Sequence, residues 1–229
     1  MFDLTGHVAL VTGAGQNVGA GIARALAAQG AALVVNDFHA DRALRVAEEI
    51  NQAGGQAVAI PFDVTDLAAV IAGFDEATAR LGHVDVLVNN AGTGGPRSPC
   101  QWPSSPKCHR ISGSPIIAVN LFGPMNCAKA AIGSMIDRQW GRVITISSGA
   151  GQIGMNIGVS PYAAGKAGAS GFMRHLAIET AKHGVTVNTI SLGLVLDDPG
   201  MVEALAKDYP GGPDGHTRRC RRTGSLFDL

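Results

Sequence analysis

Aromatic side chains are scarce in this chain, 5% of 229 residues, and cysteine occurs only four times. Cys100, Cys108, Cys127 and Cys220 form no C-x-x-C pair, which speaks against a zinc site and for free thiols in a reducing cytoplasm. No histidine stands at metal-ligand spacing, so no metal is expected. Neither sign of charge dominates: Lys plus Arg and Asp plus Glu number 18 each. No net field therefore draws the chain to nucleic acid or to an anionic membrane. The basic cluster Arg218, Arg219, Arg221 and Arg222 lacks interleaved aromatic rings and reads as a solvated tail. The N-terminus has no basic segment leading into an apolar one, and no apolar run is expected to approach the roughly 20 residues of a membrane span.

Glycine is plentiful instead, 31 residues within a chain that is 46% hydrophobic. That balance suits one α/β domain with tight turns and close helix–sheet packing. Runs at 7–12, 31–37, 57–64, 84–90, 141–148 and 184–191 read as strands. The stretch from the first glycines through Ala28, then 40–54, 66–82, 116–139 and 160–183, read as helices. Apolar, β-branched strands with little alternation predict a parallel sheet covered on both faces. Right-handed crossovers then give a doubly wound α/β fold with strand order 3-2-1-4-5-6. Two stretches break the pattern. Residues 92–115 carry five prolines and read as a long loop. Residues 209–229 are rich in Gly, Pro and Arg and suggest no strand. The expected organisation is a domain over 1–208 with an irregular loop at 93–115, then an irregular tail over 209–229, without a regular seventh strand.

"TGAGQNVGAG" (12–21) follows the first strand and opens the first helix. In that context a glycine-rich turn points backbone N–H groups at an anion. The spacing fits T-G-x-x-x-G-x-G from Gly13 to Gly19, with Gln16 and Val18 between and Asn17 in place of the middle glycine. Asn is among the few residues that accept a positive φ. Asp37 ends the second strand, 24 residues after Gly13, where a carboxylate would hold an adenosine ribose. Asp63 and Val64 follow the third strand, where an adenine edge would be read. Asn90, Ala91 and Gly92 end the fourth with small residues that let backbone approach a ligand.

"SPYAAGKAG" (160–168) sets Tyr162 and Lys166 one helical turn apart, on one face. An ammonium near a phenol stabilises the phenolate and makes a usable proton donor and acceptor. Ser160 is expected to cap this helix and Pro161 to begin it. The small residues Ala163, Ala164 and Gly165 are expected to leave room for a flat ring against the helix.

With "NNAG", "VNLFG" (119–123), "ISS" (146–148) and "YAAGK" in this order, residues 4–195 resemble the short-chain dehydrogenase/reductase family, in particular its 3-oxoacyl-carrier-protein reductase-like and hydroxyacyl dehydrogenase-like members. The resemblance implies a Rossmann-type fold and an Asn120–Ser148–Tyr162–Lys166 tetrad. Tyr162 is then the general acid/base and Ser148 a hydrogen-bond partner of the reacting oxygen. Lys166 binds the nicotinamide ribose and favours the phenolate, and Asn120 holds a water of the proton relay. Ser147 is the neighbour of Ser148 but points to the opposite face of the strand. The cofactor contacts extend to Tyr162, Lys166, Gly193 and Val195. Leu192 and Asp197 depart from the family's pattern, as do residues 96–115 and 211–229, whose Pro/Ser/Cys/Arg bias is that of out-of-frame translation.

The expected function is hydride transfer between NAD(H), preferred over NADP(H), and a carbonyl/secondary alcohol pair. The alternative is a catalytically impaired NAD-binding protein with a disrupted substrate side. The resemblance implies a homodimer through residues 116–139 and 160–183, with a homotetramer as the alternative.

Overall fold

A computed structural model describes residues 3–93, 115–154 and 158–193. The apolar runs form six parallel strands: β1 (Val8–Val11), β2 (Ala32–Val35), β3 (Gln56–Ala59), β4 (Val86–Asn89), β5 (Gly141–Ser148) and β6 (Val185–Leu192). They assemble in the expected order, β3-β2-β1-β4-β5-β6. The chain runs outward from β1 to β3, returns, and runs outward again from β4. A crevice therefore opens beyond the carboxyl ends of β1 and β4, where Val11 stands beside both Val35 and Val88.

The helices are α1 (Asn17–Ala28), α2 (Ala40–Gln52), α3 (Leu67–Leu81), α4 (Pro115–Asp137) and α5 (Ser160–Thr180). Both faces of the central strands β1 and β4 are buried, so both are covered, whereas the edge strand β6 leaves Thr186, Asn188 and Ile190 exposed. Ala9, Val11, Leu33 and Val35 join Ala23, Val46 and Ile50 in one core beneath α1 and α2. Leu10, Val34, Leu87 and Val143 join Val70, Phe74, Ala131 and Met173 in the other, beneath α3, α4 and α5.

Several expectations need correction. The uniform helix expected over 116–139 is interrupted by a π-helical stretch, Ala118–Phe122, and ends at Asp137. At 23 residues, with a mean hydropathy of 1.3 over an 18-residue window, α4 is long and apolar enough to cross a membrane by length and composition, contrary to the expectation that no such run exists. Its Ala128, Ala131 and Met135 are buried with Val143 and Met173, so that apolarity serves the core. The third strand stops at Ala59 rather than at residue 64. Pro61 brings no N–H to a ladder, and the Asp63 carboxylate turns the chain by accepting from the Thr65 amide at 2.8 Å. Ser160 is the first residue of α5 and not its cap; the cap position is Val159, which makes no side-chain capping bond. Pro161 lies in the first turn, as expected. Apart from Thr93 and Pro115, the predicted loop over 93–115 lies outside the described residues, as does the tail over 209–229.

Candidate active site

At the crevice, the first turn of α1 crosses the end of β1 at backbone contact. A Cβ on Gly19 would sit 2.2 Å from the Gly13 carbonyl oxygen and 2.4 Å from Asn90 Nδ2, so only glycine permits this crossing. Asn17 takes φ 48°, the left-handed conformation that its side chain tolerates. Gln16, at the cap position of α1, makes no side-chain capping bond, and no acidic residue stands in the first turn. The positive end of the helix is therefore open to an anion.

Thr12 ties the two central strands together, a role the sequence reading overlooked. Its Oγ1 accepts the amides of Asn90 and Ala91, each at 3.0 Å. Asn90 Nδ2 returns bonds to the carbonyls of Thr12 (2.9 Å) and Gly13 (3.1 Å). The signal was the threonine directly before Gly13. At the end of β2, the buried Asp37 carboxylate accepts the Gly15 amide through Oδ2 and the His39 amide through Oδ1, both at 3.0 Å. Val64 is held from α4, where Asn126 Nδ2 donates to its carbonyl at 2.9 Å.

Of the predicted cofactor residues, Gly13, Gln16, Asn17, Val18, Gly19, Asp37, Asp63, Val64, Asn90, Ala91 and Gly92 line a single cavity of about 510 Å³. Arg42 and Asn36 line it too. Tyr162, Lys166 and Gly193 do not, and Val195 lies outside the described residues.

Of the four predicted catalytic residues, Asn120 and Lys166 meet at Gly92, which lines this cavity, and Tyr162 lies beside Lys166. Lys166 is buried, and Nζ donates to the Ile146 carbonyl at 2.8 Å. It stands 5.7 Å from the centre of the Tyr162 ring. Burial pushes the Lys166 ammonium down to about 8. Asn120 lies within the π-helical stretch, fully buried, and Nδ2 donates to the carbonyls of Thr93 (2.6 Å) and Ile116 (2.8 Å). Its Oδ1 is buried with no hydrogen-bond partner among the described residues. A Cβ on Gly92 would lie 2.9 Å from that oxygen and 3.2 Å from Lys166 Nζ. The glycine thus keeps open a polar gap between the two groups. Gly165 does not leave room for a ring, as was expected; a Cβ there would meet the Asn120 Cβ at 2.9 Å. Its smallness lets α5 pack directly on the π-helical stretch.

Ser148 is half-buried at the end of β5, its Oγ accepting the Ala150 amide at 3.3 Å. Ser147 is buried and structural: it accepts from Ser170 Oγ at 3.1 Å and lies 3.4 Å from the Lys166 carbonyl.

The short chain dehydrogenase family model matches residues 7–209 of this chain. The chain belongs to the short-chain dehydrogenase/reductase family. As a member it is an NAD(P)-dependent dehydrogenase/reductase. The oxidoreductase UcpA of Salmonella typhimurium is 36% identical over 215 residues, covering 93% of this chain and 78% of that protein. A gluconate 5-dehydrogenase from Burkholderia cenocepacia, solved with NADP and tartrate, superposes with a TM-score of 0.80 at 33% identity, over 92% of this chain and 83% of that one. A 7α-hydroxysteroid dehydrogenase solved with NADH and 7-oxo glycochenodeoxycholic acid gives a TM-score of 0.80 at 33% identity, over 93% of this chain and 84% of that one.

Proposed function

We propose that this short-chain dehydrogenase/reductase interconverts a carbonyl and a secondary alcohol through the Asn120–Ser148–Tyr162–Lys166 tetrad. The observation that carries this reading is the buried Lys166 ammonium beside the Tyr162 ring and next to the Asn120 oxygen, which has no partner among the described residues.

The site fits a nicotinamide dinucleotide. The uncapped start of α1 suits the pyrophosphate, and Asp37 the adenosine ribose. Asp63 and Val64 flank the place for adenine, with Asn90, Ala91 and Gly92 along the path to the nicotinamide. When bound, the cofactor supplies or accepts a hydride. Tyr162 gives its phenolic proton to the substrate oxygen in reduction and takes it back in oxidation. Ser148 holds that oxygen by a hydrogen bond. Lys166 sets its charge near the phenol and steadies the phenolate left after proton transfer. The Asn120 oxygen accepts from a water that links Lys166 to solvent.

NAD(H) is the favoured cofactor. A 2′-phosphate would bring about two negative charges beside the Asp37 carboxylate. Like unit charges 4 Å apart repel by about 4 kcal/mol at an effective dielectric near 20. The relatives with NADP and with NADH bound mark both as open to the family, so Asp37 supports the choice here. The named relatives concern a sugar acid and a bile acid, and lend no support to the 3-oxoacyl-carrier-protein reductase-like subtype. We further read the chain as a homodimer through α4 and α5, which expose Phe122 and Ile178 to 51% and 81%.

A panel of ketones and secondary alcohols, with cofactor absorbance as readout, tests the function. Turnover that Tyr162→Phe abolishes supports it. Dinucleotide binding without turnover of any panel member favours the impaired binding protein.

A further inference from the structure

The phosphate loop touches one charged side chain that does not line the cofactor cavity. Arg45, in the second turn of α2, donates from Nη2 to the Gly15 carbonyl at 2.7 Å. The other face of that residue is held as well, since the Gly15 amide donates to Asp37 Oδ2 at 3.0 Å. Gly15 is pressed against α2 so closely that a Cβ would lie 2.5 Å from the Arg42 Cβ and 2.7 Å from Asp37 Oδ2.

Arg45 is itself anchored. Its Nη1 donates to Glu49 Oε1 at 2.7 Å, and Glu49 Oε2 receives Arg24 of α1 at 2.5 Å. The Arg24 guanidinium, and then that of Arg45, hold the Glu49 carboxyl below the usual carboxylate range. A chain of contacts thus runs Arg24–Glu49–Arg45–Gly15–Asp37, from the far side of α1 to the carboxylate at the end of β2.

We propose that Arg45 is a positioning residue for the adenosine half of the cofactor. It clamps the Gly15 peptide, and the Gly15 amide in turn orients the Asp37 carboxylate. The need for a clamp is local. Asn17, two residues on, holds a left-handed conformation that non-glycine residues populate at a cost, and Gln16 makes no side-chain capping bond to α1. The loop therefore gains little order from its own sequence and takes it from α2. Arg45 acts only through Gly15, so it changes how well Asp37 is presented and not what Asp37 is. This inference rests on the cofactor reading above.

The test is binding of NADH, ADP-ribose and nicotinamide mononucleotide to the wild-type protein, Arg45→Ala and Arg45→Lys, with Tm recorded for each. A charge-assisted hydrogen bond from a half-exposed arginine predicts a three- to tenfold weaker Kd for NADH in Arg45→Ala. ADP-ribose should lose the same factor and the mononucleotide none, while Arg45→Lys recovers most of the loss. Equal losses for all three ligands, or a loss that follows a lowered Tm and is not rescued by lysine, would mark Arg45 as merely structural and overturn the proposal. Wild-type binding that Arg45→Ala leaves within twofold overturns it too, with the cofactor reading intact. Wild-type protein that binds neither NADH nor ADP-ribose overturns both.

Discussion

The Lys166 ammonium donates to the Ile146 carbonyl at 2.8 Å, which pins the side chain of α5 to the end of β5. The contact holds a buried positive charge beside Gly92 at the expense of stability. Lys166 falls from an ordinary 10.5 to about 8 through burial. The folded state therefore binds fewer protons than the unfolded state between these values, and stability rises with pH across that window. A depression of this size corresponds to about 3 kcal/mol lost at pH 7, offset by about 2 kcal/mol for the charge-assisted hydrogen bond. Lys166→Met is expected to abolish turnover yet to be more stable than wild type by about 1 kcal/mol at pH 7. Urea titrations from pH 7 to 10 should show the gap closing as pH rises. A gap that does not change with pH would remove burial of the charge as its cause.

Tyr162→Phe keeps the ring and removes the phenolic oxygen. Turnover is expected to fall at least a thousandfold, a loss in the range of general acid/base catalysis. The Kd for NADH should stay within about threefold, because the hydroxyl adds at most one ordinary hydrogen bond to dinucleotide binding. Fluorescence titration and a turnover assay on the same preparation separate the two effects.

Asn17 holds φ 48° in the phosphate loop. Asn17→Gly relieves the conformation and is expected to leave NADH affinity unchanged or better. Asn17→Val places a β-branched residue there, at about 1–2 kcal/mol or more. Its NADH affinity should drop about tenfold. Equal affinities for the two variants would mean that the loop does not keep this geometry when it binds.

For Asp37→Ala, the ratio of Kd for NADPH to Kd for NADH should shrink about tenfold or more, as the carboxylate's attraction for the ribose and its repulsion of a 2′-phosphate vanish together. Arg42, which also lines the cavity, is the cation that would then meet the phosphate. A ratio near one in the unmutated protein would refute NAD preference.

Ile178 is 81% exposed on α5. Ile178→Glu is expected to turn the proposed homodimer into a monomer by light scattering, with the circular dichroism spectrum unchanged. A wild-type monomer would remove α4 and α5 as an interface.

The alternation of apolar runs with amphipathic stretches was enough to specify six parallel strands and their order, because a strand buried on both faces must be apolar throughout and right-handed crossovers leave few topologies. That Gly13 and Asp37 line one cavity and that Tyr162 and Lys166 stand together on α5 followed for a related reason. Each of these positions needs a particular residue type at a fixed distance from a strand end or along a helix. Other features depend on contacts between segments far apart in the chain, which leave no periodic trace. The π-helical stretch around Asn120, the bond of Thr12 to the Asn90 and Ala91 amides, and the hold of Arg45 on Gly15 are of this kind. The same is true of Gly165: its smallness looked like room for a ligand, but it is spent on the approach of Asn120. Sequence spacing determined which chemical groups the site contains. Only tertiary packing decided how each is oriented, because orientation comes from neighbours brought in from other strands and helices.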